Sequence, residues 1–154
     1  MFSVLWYFEL VFVLTLVGLL AGFALKSYSS TLRVSYTVQA ISVSSFLKSQ
    51  IYHFYAVQRR WPNTEDIVLN KDYTDQLNNI KEITIDEGSI DIEFYSSRNN
   101  RDSEILSFRK AVFNDMPGSS LIWLCGYQPV PSGMTVVKVN KTTVNRSDLP
   151  HICK

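Results

Sequence analysis

Hydrophobic positions along the chain follow two regimes. Over residues 1–25 the only charged side chain is Glu9, and the run YFELVFVLTLVGLLAGFALKSY is otherwise apolar or small. At about 1.5 Å of rise per residue, a helix of that length crosses the roughly 30 Å hydrocarbon core of a bilayer. No Pro occurs in residues 1–57, and the last Gly in that stretch is Gly22. The helix is therefore expected to continue past the membrane. There Tyr36, Ala40, Val43, Leu47, Ile51 and Phe54 recur at steps of three or four, one apolar stripe of an amphipathic helix. The run RVSYTVQAISV is rich in β-branched residues, so a strand is the local alternative. The lack of turn signals on either side decides for helix. RRWPNTED ends it, because Pro62 biases Trp61 out of the helical region.

The period then changes from helical to alternating. EITIDEGSIDIEFYS carries alternating runs at 83–85 and 90–94 around Glu87, Gly88 and Ser89, which reads as a hairpin. SSRNNRDS is a polar loop. ILSFRKAVF and SLIWLCGY are two further strands, separated by NDMPGS. The tail, residues 128–154, holds Pro129, Pro131, Gly133 and Pro150 and reads as mostly irregular, with a short strand at 135–139. The fold class expected is α+β: a long N-terminal helix, its first half in the membrane, packed through its second half on an antiparallel sheet of about four strands. Residues 1–27 are expected to be the transmembrane half of the helix and residues 28–154 a globular domain.

Composition narrows the functional classes. The 154 residues suit one domain plus an anchor, and the net charge of +1 gives the whole chain no field for nucleic acid or acidic partners. A cleavable secretory signal is the rival to an anchor. Such signals open on a basic n-region, whereas here no Lys or Arg precedes the apolar run, so a retained anchor is favoured. Lys26 and Arg33 follow the span, and the positive-inside rule alone would leave the C-terminal part in the cytoplasm. The two cysteines, Cys125 and Cys153, point the other way. An even pair in an exported domain suggests a disulfide; the alternative is two buried free thiols. Neither stands in a metal-ligand spacing. His53 and His151 have no ligand cluster near them in sequence, and no nucleophile-elbow, zinc-protease or phosphate-loop pattern appears. No enzyme, metal or cofactor is expected. Asn140 and Asn145 match the glycosylation pattern and read as chance matches. Lys138, Lys141, Arg146 and Lys154 leave the tail basic; a solvated loop is the main reading, with DNA or surface binding behind it.

This layout resembles the type IV pilins. In that family a leader precedes a hydrophobic helix with Glu at its fifth mature position, and Glu9 falls in that register. Gly18, Ala21, Ala24 and Tyr28 fall where pilins commonly carry Gly, small residues and Tyr. Lys26 takes the place of the family's kink proline. FYAVQRRWPNT resembles the end of the long pilin helix, SSLIWLCGY the strand bearing the first cysteine of the C-terminal loop, and DLPHICK the usual ending with the second. The resemblance spans nearly the whole chain.

It implies a pilin-like fold with a C-terminal loop closed by a Cys125–Cys153 disulfide and a periplasmic or extracellular domain. It implies partners in other pilin subunits, the pilus assembly machinery and the inner membrane. Glu9 would act in subunit assembly by neutralising a neighbour's N-terminal amine, since a charge in an apolar bundle persists when paired. The leader boundary falls between Val4 and Leu5, where Val4 replaces the Gly that the family's peptidase prefers and the would-be leader carries no Lys or Arg. A minor or accessory role, with an uncleaved inner-membrane form as one variant, is therefore favoured over the bulk filament subunit. The rivals are a pseudopilin of a type II secretion system and an unrelated membrane-anchored binding module.

Overall fold

The structure, a computed structural model, describes residues 2–68, 79–95, 103–114 and 121–154. The chain divides into two compact units, Met1–Arg33 and Val34–Lys154. Helix α1 covers Phe2–Gln58. In the first unit its segment Trp6–Leu25 has a mean hydropathy of 2.4 and no buried side chain. By length and composition it is able to cross a membrane.

In the second unit the stripe predicted from the sequence is the buried one. Ala40, Val43, Leu47 and Ile51 are fully or almost fully buried, and Tyr36 and Phe54 flank them at the edge of the core. The helix ends through a left-handed residue. Arg59 sits at φ 55°, and its N–H reaches back 2.9 Å to the Tyr55 carbonyl, which caps the last turn before Pro62 prevents its continuation.

The sheet is antiparallel. Strand β1 is Ile80–Asp86, β2 Ser89–Tyr95, β3 Ser103–Phe113, β4 Ile122–Cys125 and β5 Met134–Val136. The order is β1-β2-β3-β4, and β5 also pairs with β3. Ala111 pairs with Ile122 of β4 and with Val136 of β5, so β5 occupies the edge of β3 that β2 has left. The expected short strand is thus present but one residue earlier and shorter, and it makes the sheet five-stranded. The β1–β2 hairpin turns on Glu87 and Gly88, both at positive φ (46° and 77°), as a two-residue turn matched to the strand twist requires. The loops expected at 96–103 and 114–119 fall almost entirely outside the described residues.

Alternation on β2 and β3 sorts the faces. Ile90, Ile92, Phe94, Leu106 and Phe108 join Ile83 and Ile85 in the core under the helix stripe. The opposite face carries Ser89, Asp91, Ser107 and Arg109 in cross-strand register, since Asp91 pairs with Ser107. Along that face Ala111, Leu124 and Met134 form a second small apolar cluster.

Candidate functional site

Two regions carry the residues singled out in the sequence. The first is helix α1 up to Leu25. Glu9 is exposed there among Trp6, Phe8, Leu10 and Phe12, all exposed too. Val4 and Leu5 lie in α1, outside the residues whose side chains are described, as do Lys26 and Arg33. A Cβ added at Gly18 or Gly22 would meet nothing within 4 Å. A helix-interior Gly costs about 1 kcal/mol against Ala, so nothing among the described residues accounts for these two.

The second region is the C-terminal loop. Cys125 ends β4 and is bonded to Cys153, 28 positions further along the sequence, with Cα atoms 4.7 Å apart. Closing a loop of that length stabilises the fold by about 3–4 kcal/mol, taken as lost chain entropy in the unfolded state. The closure is reinforced by backbone. The Tyr127 N–H donates to the Cys153 carbonyl at 3.0 Å. Gly126 makes this approach possible: it sits at φ 56°, and a Cβ there would stand 2.6 Å from the Cys153 oxygen.

The tail is irregular in dihedrals yet ordered in its bonds. Strand β4 is short, and after Gly126 donates to the Ser107 carbonyl the chain leaves the β3 edge. The tail takes over that edge. Ile105 N–H donates to Thr143 Oγ1 at 2.8 Å, Thr143 N–H returns to the Ile105 carbonyl at 2.9 Å, and Ser107 N–H donates to Thr142 Oγ1 at 3.1 Å. An edge that would otherwise be open for strand addition is thereby covered. Val144 and Leu149 plug into the core, and the Thr37 hydroxyl of α1 donates to the Asp148 carbonyl at 3.0 Å.

Sequence reasoning missed two buried cations on β3. Arg109 and Lys110 are adjacent in a strand and so face opposite ways, and both faces are covered. Lys110 is 2% exposed. Its Nζ lies 3.7 Å from the Trp61 ring centroid and donates to the Glu87 carbonyl. Burial pushes its pKa down to about 8; Lys138 adds to the shift, while Glu87 and Asp86 oppose it. Arg109 donates from Nη2 to the Gly126 and Gln128 carbonyls at 3.1 and 3.4 Å, and burial lowers its pKa. The signal available in the sequence was the RK pair inside an apolar strand.

The other candidates fall into structural places. Lys138 pairs with Asp86 at 2.9 Å and Glu87 at 3.5 Å, and Lys141 with Asp91 at 3.0 Å. The Arg146 guanidinium stands over the Tyr127 ring at 4.7 Å. Asn140 donates to the Gly126 carbonyl and accepts from Thr142 N–H, and Asn145 caps the short helical turn Arg146–Asp148. Among the described residues no three His, Cys, Asp or Glu side chains come together.

Two known proteins resemble the chain, both named type IV major pilin protein PilE1, from Neisseria gonorrhoeae. One is 26% identical over 153 residues, covering 95% of this chain and 83% of the relative. The other is 28% identical over 124 residues, 79% of this chain and 73% of the relative. No family model matches the chain. The long helix with its uncovered apolar N-terminal stretch, the antiparallel sheet and the C-terminal loop closed by Cys125–Cys153 give a pilin-like fold, and the chain is similar to these type IV pilins along nearly its full length.

Proposed function

We propose that the chain works in type IV pilus assembly as a pilin-like subunit in a minor or accessory place. On this reading its first helix is held in the inner membrane or in a filament, and residues 28–154 lie on the periplasmic or extracellular side. The observation that carries the proposal is the uncovered apolar segment Trp6–Leu25 with the lone carboxylate Glu9. Such a surface demands lipid or other helices, and Gly18 and Gly22, which cost helix stability without serving a contact among the described residues, allow a second helix to approach closely. Glu9 then pairs with an amine of a neighbouring subunit, which lets a carboxylate persist in an apolar bundle. The disulfide supports an oxidising compartment for the C-terminal unit. Similarity to two major pilins supports a filament subunit, and Val4 at the leader boundary favours a minor or accessory place.

The test is the N-terminus of the protein from wild-type cells, compared between the membrane fraction and sheared pili, beside a deletion strain scored for piliation, twitching, DNA uptake and secretion. Loss or alteration of pili on deletion, with the protein scarce in sheared filaments and not cut before Leu5, is the expected result. A methylated Leu5 on the bulk filament subunit would restore the ordinary major role. Normal piliation with a secretion defect would sink the pilus reading in favour of a pseudopilin.

A further inference from the structure

On the face of the sheet away from helix α1, the tail roofs over a cavity of about 140 Å³ lined by Asp86, Ser89, Asp91, Arg109, Lys138 and Lys141. That is several times the roughly 30 Å³ taken up by one water molecule. Two of its polar groups are unpartnered. Ser89 is 5% exposed and Arg109 9% exposed, and among the described residues neither Ser89 Oγ nor Arg109 Nε has a hydrogen-bond partner. Buried polar groups left unmade are costly and uncommon, so two at one cavity call for an acceptor.

The charges around the cavity say which kind. Lys138 stands between Asp86 at 2.9 Å and Glu87 at 3.5 Å, Lys141 pairs with Asp91, and Asp91 also accepts from the Ser107 hydroxyl at 2.6 Å. The guanidinium of Arg109 bonds only to backbone carbonyls, and among the described residues no carboxylate forms an ion pair with it. Arg109 is therefore a buried guanidinium without a carboxylate in direct contact among the described residues, beside one free hydroxyl. These ion pairs at Lys138 and Lys141, partly exposed, form the rim and leave a way in.

We propose that this cavity binds a small monocarboxylate, whose oxygens accept from Arg109 Nε and from the Ser89 hydroxyl. A charge-assisted bond from a buried guanidinium supplies the affinity, and the rim, where Asp86, Glu87 and Asp91 outnumber Lys138 and Lys141, rejects a second negative charge. The carboxylate belongs either to a free small acid or to the acid group of a sugar, and both offer the same chemistry to Arg109 and Ser89.

The full-length chain in detergent micelles, labelled with ¹⁵N-arginine, is titrated with acetate, glucuronate and the neutral isostere acetamide, while the Arg109 Nε–H resonance is followed. Saturable displacement of that resonance by acetate, with none by acetamide at equal concentration, is expected. Glucuronate binding as tightly as acetate would identify a sugar acid as the source; acetate alone would identify a free small acid. Ser89→Ala removes only an unpartnered hydroxyl, so it should fold as the parent does and weaken acetate binding about tenfold. Arg109→Gln should abolish the binding. The proposal is overturned if acetate and acetamide act alike, if no titrant saturates the site, or if Ser89→Ala binds acetate as well as the parent.

Discussion

Replacing Lys110 by Met should remove a pH dependence of stability that the wild-type chain carries. The amine sits under the β1–β2 turn, against the Trp61 ring and the Glu87 carbonyl, at 2% exposure. In the unfolded chain it titrates at the ordinary 10.5; in the fold burial holds it at about 8. The sign follows from proton counting. Between those two values the unfolded state holds a proton that the folded state has lost, so stability rises with pH. The charged amine thus costs the fold about 3 kcal/mol below the folded value, and the cost fades as pH climbs from about 8 towards the unfolded value. Between pH 7 and pH 9 the wild-type chain should gain about 1.3 kcal/mol from this group alone. Titrating groups that do not interact with this amine contribute equally to both proteins, so the quantity to measure is the difference between wild type and Lys110→Met. Urea unfolding of the oxidised full-length chain in micelles, followed by tryptophan fluorescence at pH 7, 8 and 9, supplies it. Parallel profiles would refute the reasoning. A difference of the opposite sign would mean that Glu87 and Asp86 outweigh burial at this amine.

Two further perturbations test the core and the loop closure. Leu47→Ala leaves a cavity at the centre of the helix stripe, where Leu47 is fully buried, and should cost about 2–5 kcal/mol in urea unfolding; a cost below about 1 kcal/mol would contradict the packing of α1 on the sheet. Reducing Cys125–Cys153, or changing both cysteines to Ser, should lower stability by about 3–4 kcal/mol, and a midpoint unmoved by reductant would mean that the hydrogen bonds at Thr142, Thr143 and Cys153 hold the tail alone.

The sequence by itself determined what depends on neighbours in the chain. Residues three and four apart share a helix face, so the stripe from Tyr36 to Phe54 was legible before any packing was known. Residues two apart share a strand face, so the hairpin and the two long strands were legible as well, and an apolar run with one carboxylate declared itself by composition. Tertiary structure alone decided what depends on residues far apart. The tail carries no period because its order comes from single bonds to β3: Thr142 and Thr143 cover an edge that exists only once β4 has stopped short. The burial of Arg109 and Lys110 was equally invisible, since a basic pair in a strand reads the same whether or not a tail and a tryptophan cover its two faces. The cavity at Ser89 and Arg109 exists because strands β2 and β3 bring those residues side by side and the tail roofs them, so its charge balance is set by contacts across tens of residues that local periodicity does not encode.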